Sequence, residues 1–477
     1  MTLRNPPTTL TRRALLVGSG AVCLEAFARG TAYSAAAGLK EIHLRAQQSE
    51  AALAGDAYPK TAVWAYNALM PGPEIRVRQG DRLKVVVENM LGEPTTVHWH
   101  GIRLPNSMDG VPHLTQAPIA PGESFTYEFE VPDAGTYWYH PHQRSFEQVA
   151  RGLSGALIVE EPEPLDVDRD VVWMLGDWRL DRAARPVEDF GNLHDVSHAG
   201  RIGNTVTVNG RVVEEFAVRS GERIRLRLIN AASARIFGLE FKHHDPNVIA
   251  IDGHPVQSHK PSSRRFVLAP GMRMDLLLDL TGQPGDRFVV EDRFYQGREY
   301  RLLDLVYADA AFATAPRRHA ALRPNPVPEP DLANAQRHDV GLGGGMMGGM
   351  MSATVEGHRM DMRDMMRRGL AWTINGVAVS DHIHEPMAVL SRGSSHVLRI
   401  RNDTAWWHPM HLHGHVFRVL NRNGETTRFR EWQDTVLMAP RERVDVAFVA
   451  DNPGDWMFHC HILDHQAGGM MGTVRVA

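Results

Sequence analysis

One thirteen-residue unit recurs three times in this chain of 477 residues, and it limits the fold more than any other feature. VRQGDRLKVVVEN spans 77–89, VRSGERIRLRLIN spans 218–230 and LSRGSSHVLRIRN spans 390–402. Each carries a turn glycine (Gly80, Gly221, Gly393), then alternating polar and apolar residues, then an asparagine nine residues after the glycine. Alternation with period two is the mark of a half-buried strand, and self-similarity at long intervals marks repeated structural units. Stretches such as EIRVRQGDRLKVVVENML and RERVDVAFVADNPGDWMFH continue the alternation between Gly, Pro, Asn and Asp turns. No long helical period appears. The expectation is an all-β chain of three related β-sandwich or barrel domains.

The boundaries fall in two acidic, proline-containing stretches, EEPEPLD (160–166) and RPNPVPEPD (323–331). The reading is therefore 38–163, 164–330 and 331–477, with a segment ahead of them at 1–37. That first segment holds Thr11-Arg12-Arg13, an apolar run broken by Glu25 and Arg29, and the small-residue stretch Ala35-Ala36-Ala37. It resembles a twin-arginine export signal, which predicts a periplasmic mature protein. No other run is apolar for long enough to span a bilayer, so no membrane anchor is expected. A net charge of -4 gives no reason to expect nucleic acid as a partner. A monomer is the expectation.

The chain has two cysteines, Cys23 and Cys460. Removal of the leader leaves only Cys460, so no internal disulfide forms and the thiol is free for other work. It lies in FHCHILDHQAGGMM (458–471), between His459 and His461.

The first and third units share a second pattern. An HxHG motif begins eighteen residues after the turn glycine in each: His98-Trp99-His100-Gly101 and His411-Leu412-His413-Gly414. A later HxH begins five residues after a glycine in each: His140 and His142 after Gly135, His459 and His461 after Gly454. On a strand, residues two apart point to one face, so each pair aims two imidazoles the same way. Eight imidazoles from two units predict a polynuclear copper or zinc cluster between those units. The middle unit has no HxH pair; His243, His244, His254 and His259 read as surface or hydrogen-bonded residues.

With His459 and His461 facing the cluster, Cys460 faces the other way. His408, His465 and Met470 lie at spacings that let them join it. Two histidines, a thiolate and a weak thioether make the blue-copper electron-transfer set. Cys460 would then be one end of a covalent path to either flanking histidine. The first unit is an internal control. Aligned by motif, it has Thr95, Pro141, Phe146 and Arg151 where the third has His408, Cys460, His465 and Met470.

HWHG, HPH, HPMHLHG and HCHILDHQAGGM together resemble the copper signatures of the multicopper oxidases, and the likeness in layout covers the mature chain. The resemblance implies three cupredoxin-like Greek-key domains and four copper ions. His98 and His411 would bind the type 2 ion. His100, His140, His142, His413, His459 and His461 would bind the type 3 pair. His408, Cys460 and His465 would hold type 1, with Met470 axial. It implies one-electron oxidation of substrate at type 1, coupled to four-electron reduction of dioxygen to water at the trinuclear centre. Cys460 and Asp109 are the expected catalytic residues. Asp109, in SMDGVP, resembles the acidic residue that many members place near the cluster, and it also suits a turn before Gly110. Many bacterial members have a Glu where this chain has Gln466; Asp464 lies nearby.

Residues 341–369 hold eight of the 21 methionines. Thioethers select Cu(I). The segment resembles the Met-rich insert of bacterial cuprous oxidases, is expected to enter the third domain just before its first strand, AWTINGVAV, and points to copper homeostasis. A Gly/Met linker with a short helix at 358–368 is the plainer reading. Ahead of His408, Asp403 is one position out of register with those enzymes and Trp406 replaces a Met. A Trp-lined approach equally suits an aromatic substrate, so laccase-like phenol oxidation stays open. Copper storage by the Met segment is a third reading, but it leaves Cys460 and the paired histidines unexplained.

Overall fold

The computed structural model describes residues 38–261, 263–312, 321–380 and 385–477. The export signal read at 1–37 lies outside the described residues. Among them, no helix is long and apolar enough to cross a membrane.

The repeat is visible in three dimensions. Its strands are Arg82–Asn89, Arg223–Asn230 and Ser395–Asn402. Each lies between a parallel partner that opens its third of the chain and an antiparallel partner further on. The parallel partners are Leu39–Ala51, Arg169–Trp178 and Gln336–Gly344. The antiparallel partners are Ser124–Glu130, Arg273–Asp279 and Arg443–Val449. The three turn glycines have φ of 86°, 81° and 78°, a left-handed turn that favours glycine.

The closing asparagines do the same work three times. Asn89 donates to the carbonyls of Glu93 and Ile119 and accepts from Leu91 N–H. Asn230 donates to Arg235 and Leu268 and accepts from Ala232. Asn402 donates to Trp406 and Ala439 and accepts from Thr404. A buried amide thus satisfies three backbone groups of the loop that follows the strand. In the first and third copies that loop leads into the histidine strands.

Each third has two sheets. In the first, a four-stranded sheet around Leu39–Ala51 and Arg82–Asn89 shares a core with the sheet Gly72–Arg78, Gly155–Glu160, Gly135–His140, His98–His100. The third has a ten-stranded sheet around Ser395–Asn402. Its companion orders Ala388–Leu390, Met471–Val476, Gly454–Cys460, His408–Leu412, Thr435–Met438. The buried cluster of the first third continues into the third, through residues such as Trp99, Trp372, Trp456 and Met470. Burying each large apolar side chain is worth roughly 1.5–3 kcal/mol. The middle third has its own core, and a smaller one joins Trp138 and Ile158 to Met174 and Ile229 across the first boundary.

One sequence expectation is corrected here. The Met-rich segment does not precede the first strand of its third. Its first residues, Gly341–Gly344, close the strand Gln336–Gly344, which pairs with both Ser395–Asn402 and Trp372–Ile374. Glycine is a poor strand former and hid this element, while Val340 and Leu342 bury it in the core. The rest of the segment is folded. Ser352–Val355 and His358–Asp361 form a hairpin, and a helix spans Met362–Arg367. Asp361 caps that helix by accepting from Asp364 N–H. Met365 is fully buried among Ala353, Val355, Leu370 and Ala378.

Candidate metal centre

Strand pairing brings the histidine motifs together before any metal is considered. In the first third, His98 lies opposite His140 and His100 opposite Trp138. In the third, His411 lies opposite His459 and Met410 opposite Cys460. The two ribbons then meet face to face. The His98 and His413 rings stack with centroids 3.9 Å apart, and those of His100 and His411 at 3.8 Å. Donor atoms lie within 4.8 Å of one another in the sets His98/His100/His411, His100/His140/His461 and His142/His413/His459. All eight imidazoles are buried.

Most of the rings have one nitrogen held by the protein and the other unpaired. Nδ1 of His98, His140, His411 and His459 lies 2.8–3.0 Å from the carbonyl oxygens of Asp109, Pro141, Asp434 and Cys460. Nδ1 of His413 meets Asp109 Oδ2 at 2.9 Å. His100 is turned the other way, with Nε2 3.1 Å from Asp434 Oδ1. The opposite nitrogens, His98 Nε2, His100 Nδ1, His140 Nε2, His142 Nε2 and His411 Nε2, are buried with no partner, as are both of His461. Buried polar atoms are rarely orphaned, and an imidazole anchored through one nitrogen with the other unpaired is how a metal ligand is built. Burial and mutual repulsion push His140, His142, His413 and His461 well below the usual histidine pKa, so they are neutral donors. The donor set fits copper.

The strand alternation separates Cys460 from its neighbours as the sequence predicts. Its Sγ lies 3.5 Å from His408 Nδ1 and 3.7 Å from His465 Nδ1, and those two nitrogens are 3.1 Å apart. Met470 is fully buried, and its carbonyl accepts the Cys460 N–H. Burial pushes the Cys460 thiol up, so loss of its proton needs a cation at the site. Burial pushes His465 down to about 3. The far nitrogens are held too: His408 Nε2 by Thr404 Oγ1 at 2.8 Å, His465 Nε2 by the His198 carbonyl at 2.6 Å. Trp372 packs on both rings, and its Nε1 donates to the Val196 carbonyl.

Asp109 is buried and reaches two histidines, with Oδ1 3.2 Å from His98 Nδ1 and Oδ2 on His413. Gln466 Nε2 lies 3.5 Å from His142 Nδ1, at the edge of the cluster. Asp464 turns away from it and accepts from Arg201 N–H. In the middle third, His244 is buried against Tyr307 Oη, His254 meets Asn325, His259 meets the Gln257 carbonyl and His243 is exposed.

Sequence reasoning missed a buried ionic group beside the cluster. Arg273 pairs through both Nη atoms with Asp434, at 2.8 and 2.6 Å. Asp252 accepts from the backbone of Arg273, Asp434 and Thr435. Burial pushes Asp434 up, but Arg273 and His100 outweigh it and hold its carboxyl well below the usual range. The His198 carbonyl was missed as well. Neither belongs to a histidine motif, so no local pattern marks them.

Comparison with known proteins agrees with this geometry. Models of the family described as "Multicopper oxidase" match residues 47–164, 169–312 and 356–477. The chain is 31% identical to the multicopper oxidase MmcO of Mycobacterium tuberculosis, over 86% of this chain and 82% of that protein. It is 27% identical to a copper resistance protein A homolog of Pseudomonas syringae pv. tomato, over 91% and 92%. It is 28% identical to laccase-2 of Cryptococcus neoformans, over 90% and 83%. Among solved structures, a multi-copper oxidase from Pseudomonas thermotolerans is 34% identical with a TM-score of 0.81, covering 92% of this chain and 100% of that one.

Proposed function

The chain belongs to the multicopper oxidase family, and on that premise we propose that it is a four-copper oxidase that takes electrons from Cu(I) and passes them to dioxygen. Copper, when bound, supplies one-electron chemistry at the Cys460 site and four-electron reduction of dioxygen to water at the histidine cluster. His98 and His411 would hold type 2. His100, His140 and His461 would hold one type 3 ion, and His142, His413 and His459 the other. His408, Cys460 and His465, with Met470, would hold type 1. The observation that carries the reading is the position of Cys460: its side chain meets His408 and His465 while its chain neighbours His459 and His461 join the cluster sets. Electrons leaving Cys460 have a path of covalent bonds to the cluster.

The other residues hold geometry and protons. Thr404 and the His198 carbonyl fix the ring orientation of His408 and His465. Asp109 orients His98 and His413 and is the carboxylate placed to hold a proton beside them. Gln466 cannot replace an acid there, because an amide does not titrate. The twin-arginine reading of the leader would put this chemistry in the periplasm.

The methionines favour Cu(I). Met346, Met347 and Met351 are 47%, 72% and 80% exposed, whereas most large apolar side chains are buried. Met346 is tied to residues beside the Cys460 site: its N–H donates to the carbonyl of Ser197, next to His198, and its carbonyl accepts from Trp406 Nε1. Soft thioethers there would receive Cu(I) without competing protons. One observation favours phenols as a second reading: Trp407, 37% exposed and next in the chain to His408, packs edge-on against Phe294. The deciding experiment is steady-state oxygen consumption with Cu(I) and with a dimethoxyphenol, each with and without added Cu(II). The Cu(I) reading fails if only the phenol supports turnover.

A further inference from the structure

The middle third contributes no donor to any of the histidine sets, yet it touches the cluster at two points. At the first, Gly271 lies against the rings themselves. A Cβ at that position would sit 2.9 Å from His461 and 3.0 Å from His100, and its φ of 85° already favours glycine. At the second, Arg273 enters the same space two residues later. It is wholly buried, donates through Nε to the Thr136 carbonyl and through Nη1 to the Gly271 carbonyl, and pairs in fork geometry with Asp434. Asp434 Oδ1 lies 3.1 Å from His100 Nε2 and 3.3 Å from His411 Nδ1. One carboxylate thus reaches a histidine of the first third and a histidine of the last.

The glycine of the first HxHG motif reports on the same packing. A Cβ at Gly101 would fall 2.2 Å from Arg273 Nη2 and 2.5 Å from Asp434 Oδ2. The motif glycine is therefore the space that Arg273 and Asp434 occupy. Asp252, also from the middle third, binds the backbone N–H groups of Asp434 and Thr435, so the carboxylate is fixed at both its main chain and its side chain.

We propose that Arg273 is a positioning residue for the trinuclear centre: through Asp434 it sets the rings of His100 and His411, so the centre is assembled by all three thirds of the chain. A buried carboxylate between two imidazoles needs a fixed partner, or it turns toward another donor. A planar fork that engages both oxygens fixes its rotation, which a point charge does not. The inference rests on the copper assignment proposed above.

The test compares copper-loaded Arg273→Gln, Arg273→Lys and Arg225→Gln proteins with the parent. Arg225 is an equally buried arginine of the middle third, paired with Asp275 and Glu161 and absent from the histidine sets. It controls for general damage to the fold. Arg273→Gln should bind type 2 copper roughly 10-fold more weakly and show an altered type 2 electron paramagnetic resonance spectrum, while the blue type 1 band persists. Arg273→Lys should restore part of the affinity but not the parent spectrum, and it carries the test if the Gln variant does not accumulate. Arg225→Gln should keep the parent spectrum even if it unfolds at a lower temperature. Parent-like type 2 copper in both Arg273 variants, or equal loss in Arg225→Gln, overturns the inference. A parent protein with neither a blue band nor a type 2 signal would instead overturn the copper assignment beneath it.

Discussion

The first and third parts of the chain use one scaffold for different ends. Both present an HxHG strand beside a later HxH strand, and both follow the latter with a short helix, Ser145–Gln148 in one and Leu463–Ala467 in the other. In the third, the space between strand and helix holds His408, Cys460 and His465. In the first, the position equivalent to His408 is Thr95, whose Oγ1 donates to Gln148 Oε1 at 2.7 Å and closes the space with a neutral hydrogen bond. Where Cys460 would stand there is Pro141, and its carbonyl holds His140. The difference teaches that the paired histidines belong to the shared scaffold, while the His408–Cys460–His465 set was written into one copy by side chains alone.

The strongest way to break that comparison is Cys460→Ser. It should abolish the blue absorption and reduce oxidase turnover by more than the roughly 100-fold that loss of an outer hydrogen-bond partner costs. The cluster should keep its copper, since its imidazoles are untouched. Turnover at the parent rate would end the assignment. Next comes the shared part. His98→Ala with His411→Ala should remove type 2 copper and lower the melting temperature of the loaded protein, because binding to the native state stabilises it by mass action. His243→Ala, at an exposed position, should change neither. Equal copper loss by metal analysis would contradict a cluster drawn from both ends of the chain.

A smaller effect tests what only the third part carries. Met346, Met347 and Met351 replaced together by Ser should lower Cu(I) oxidation severalfold and leave dimethoxyphenol oxidation within about twofold. These positions are preferable to deleting the segment, because Met365 and Val355 are core residues. Equal loss of both activities would make the segment a structural cover. The mildest change asks whether the three asparagines remain equivalent. Asn89→Ala, Asn230→Ala and Asn402→Ala should each destabilise by about 1–3 kcal/mol, the penalty for leaving buried backbone groups unsatisfied. Only Asn402→Ala should also shift the blue band, since its loop leads to His408. A shift in all three variants, or in none, would refute a local role for that loop.

The fold and the donors were legible in the sequence for one reason: both are written within a few residues. Strand alternation decides which way His459, Cys460 and His461 point, and the repeat decides how the loops lead to them. Asp109 was expected only through the family resemblance, since SMDGVP by itself equally suits a turn before Gly110. Arg273, Asp252 and Asp434 were not legible, because Asp434 stands 161 and 182 residues from the other two and only the docking of the thirds brings it to them. The strand Gln336–Gly344 was missed because glycines blur its alternation, and burial of Val340 and Leu342 supplies what propensity does not.

The bond from His465 Nε2 to His198 is made to a main-chain oxygen. Every amino acid carries that oxygen, so the bond is hidden from point mutation at position 198. Whatever residue a descendant places there, His465 keeps its partner. The His198 side chain is held separately, stacked on His194 with ring centroids 4.4 Å apart and packed edge-on against Trp406. A substitution at position 198 would therefore change those ring contacts and leave the bond to His465 in place.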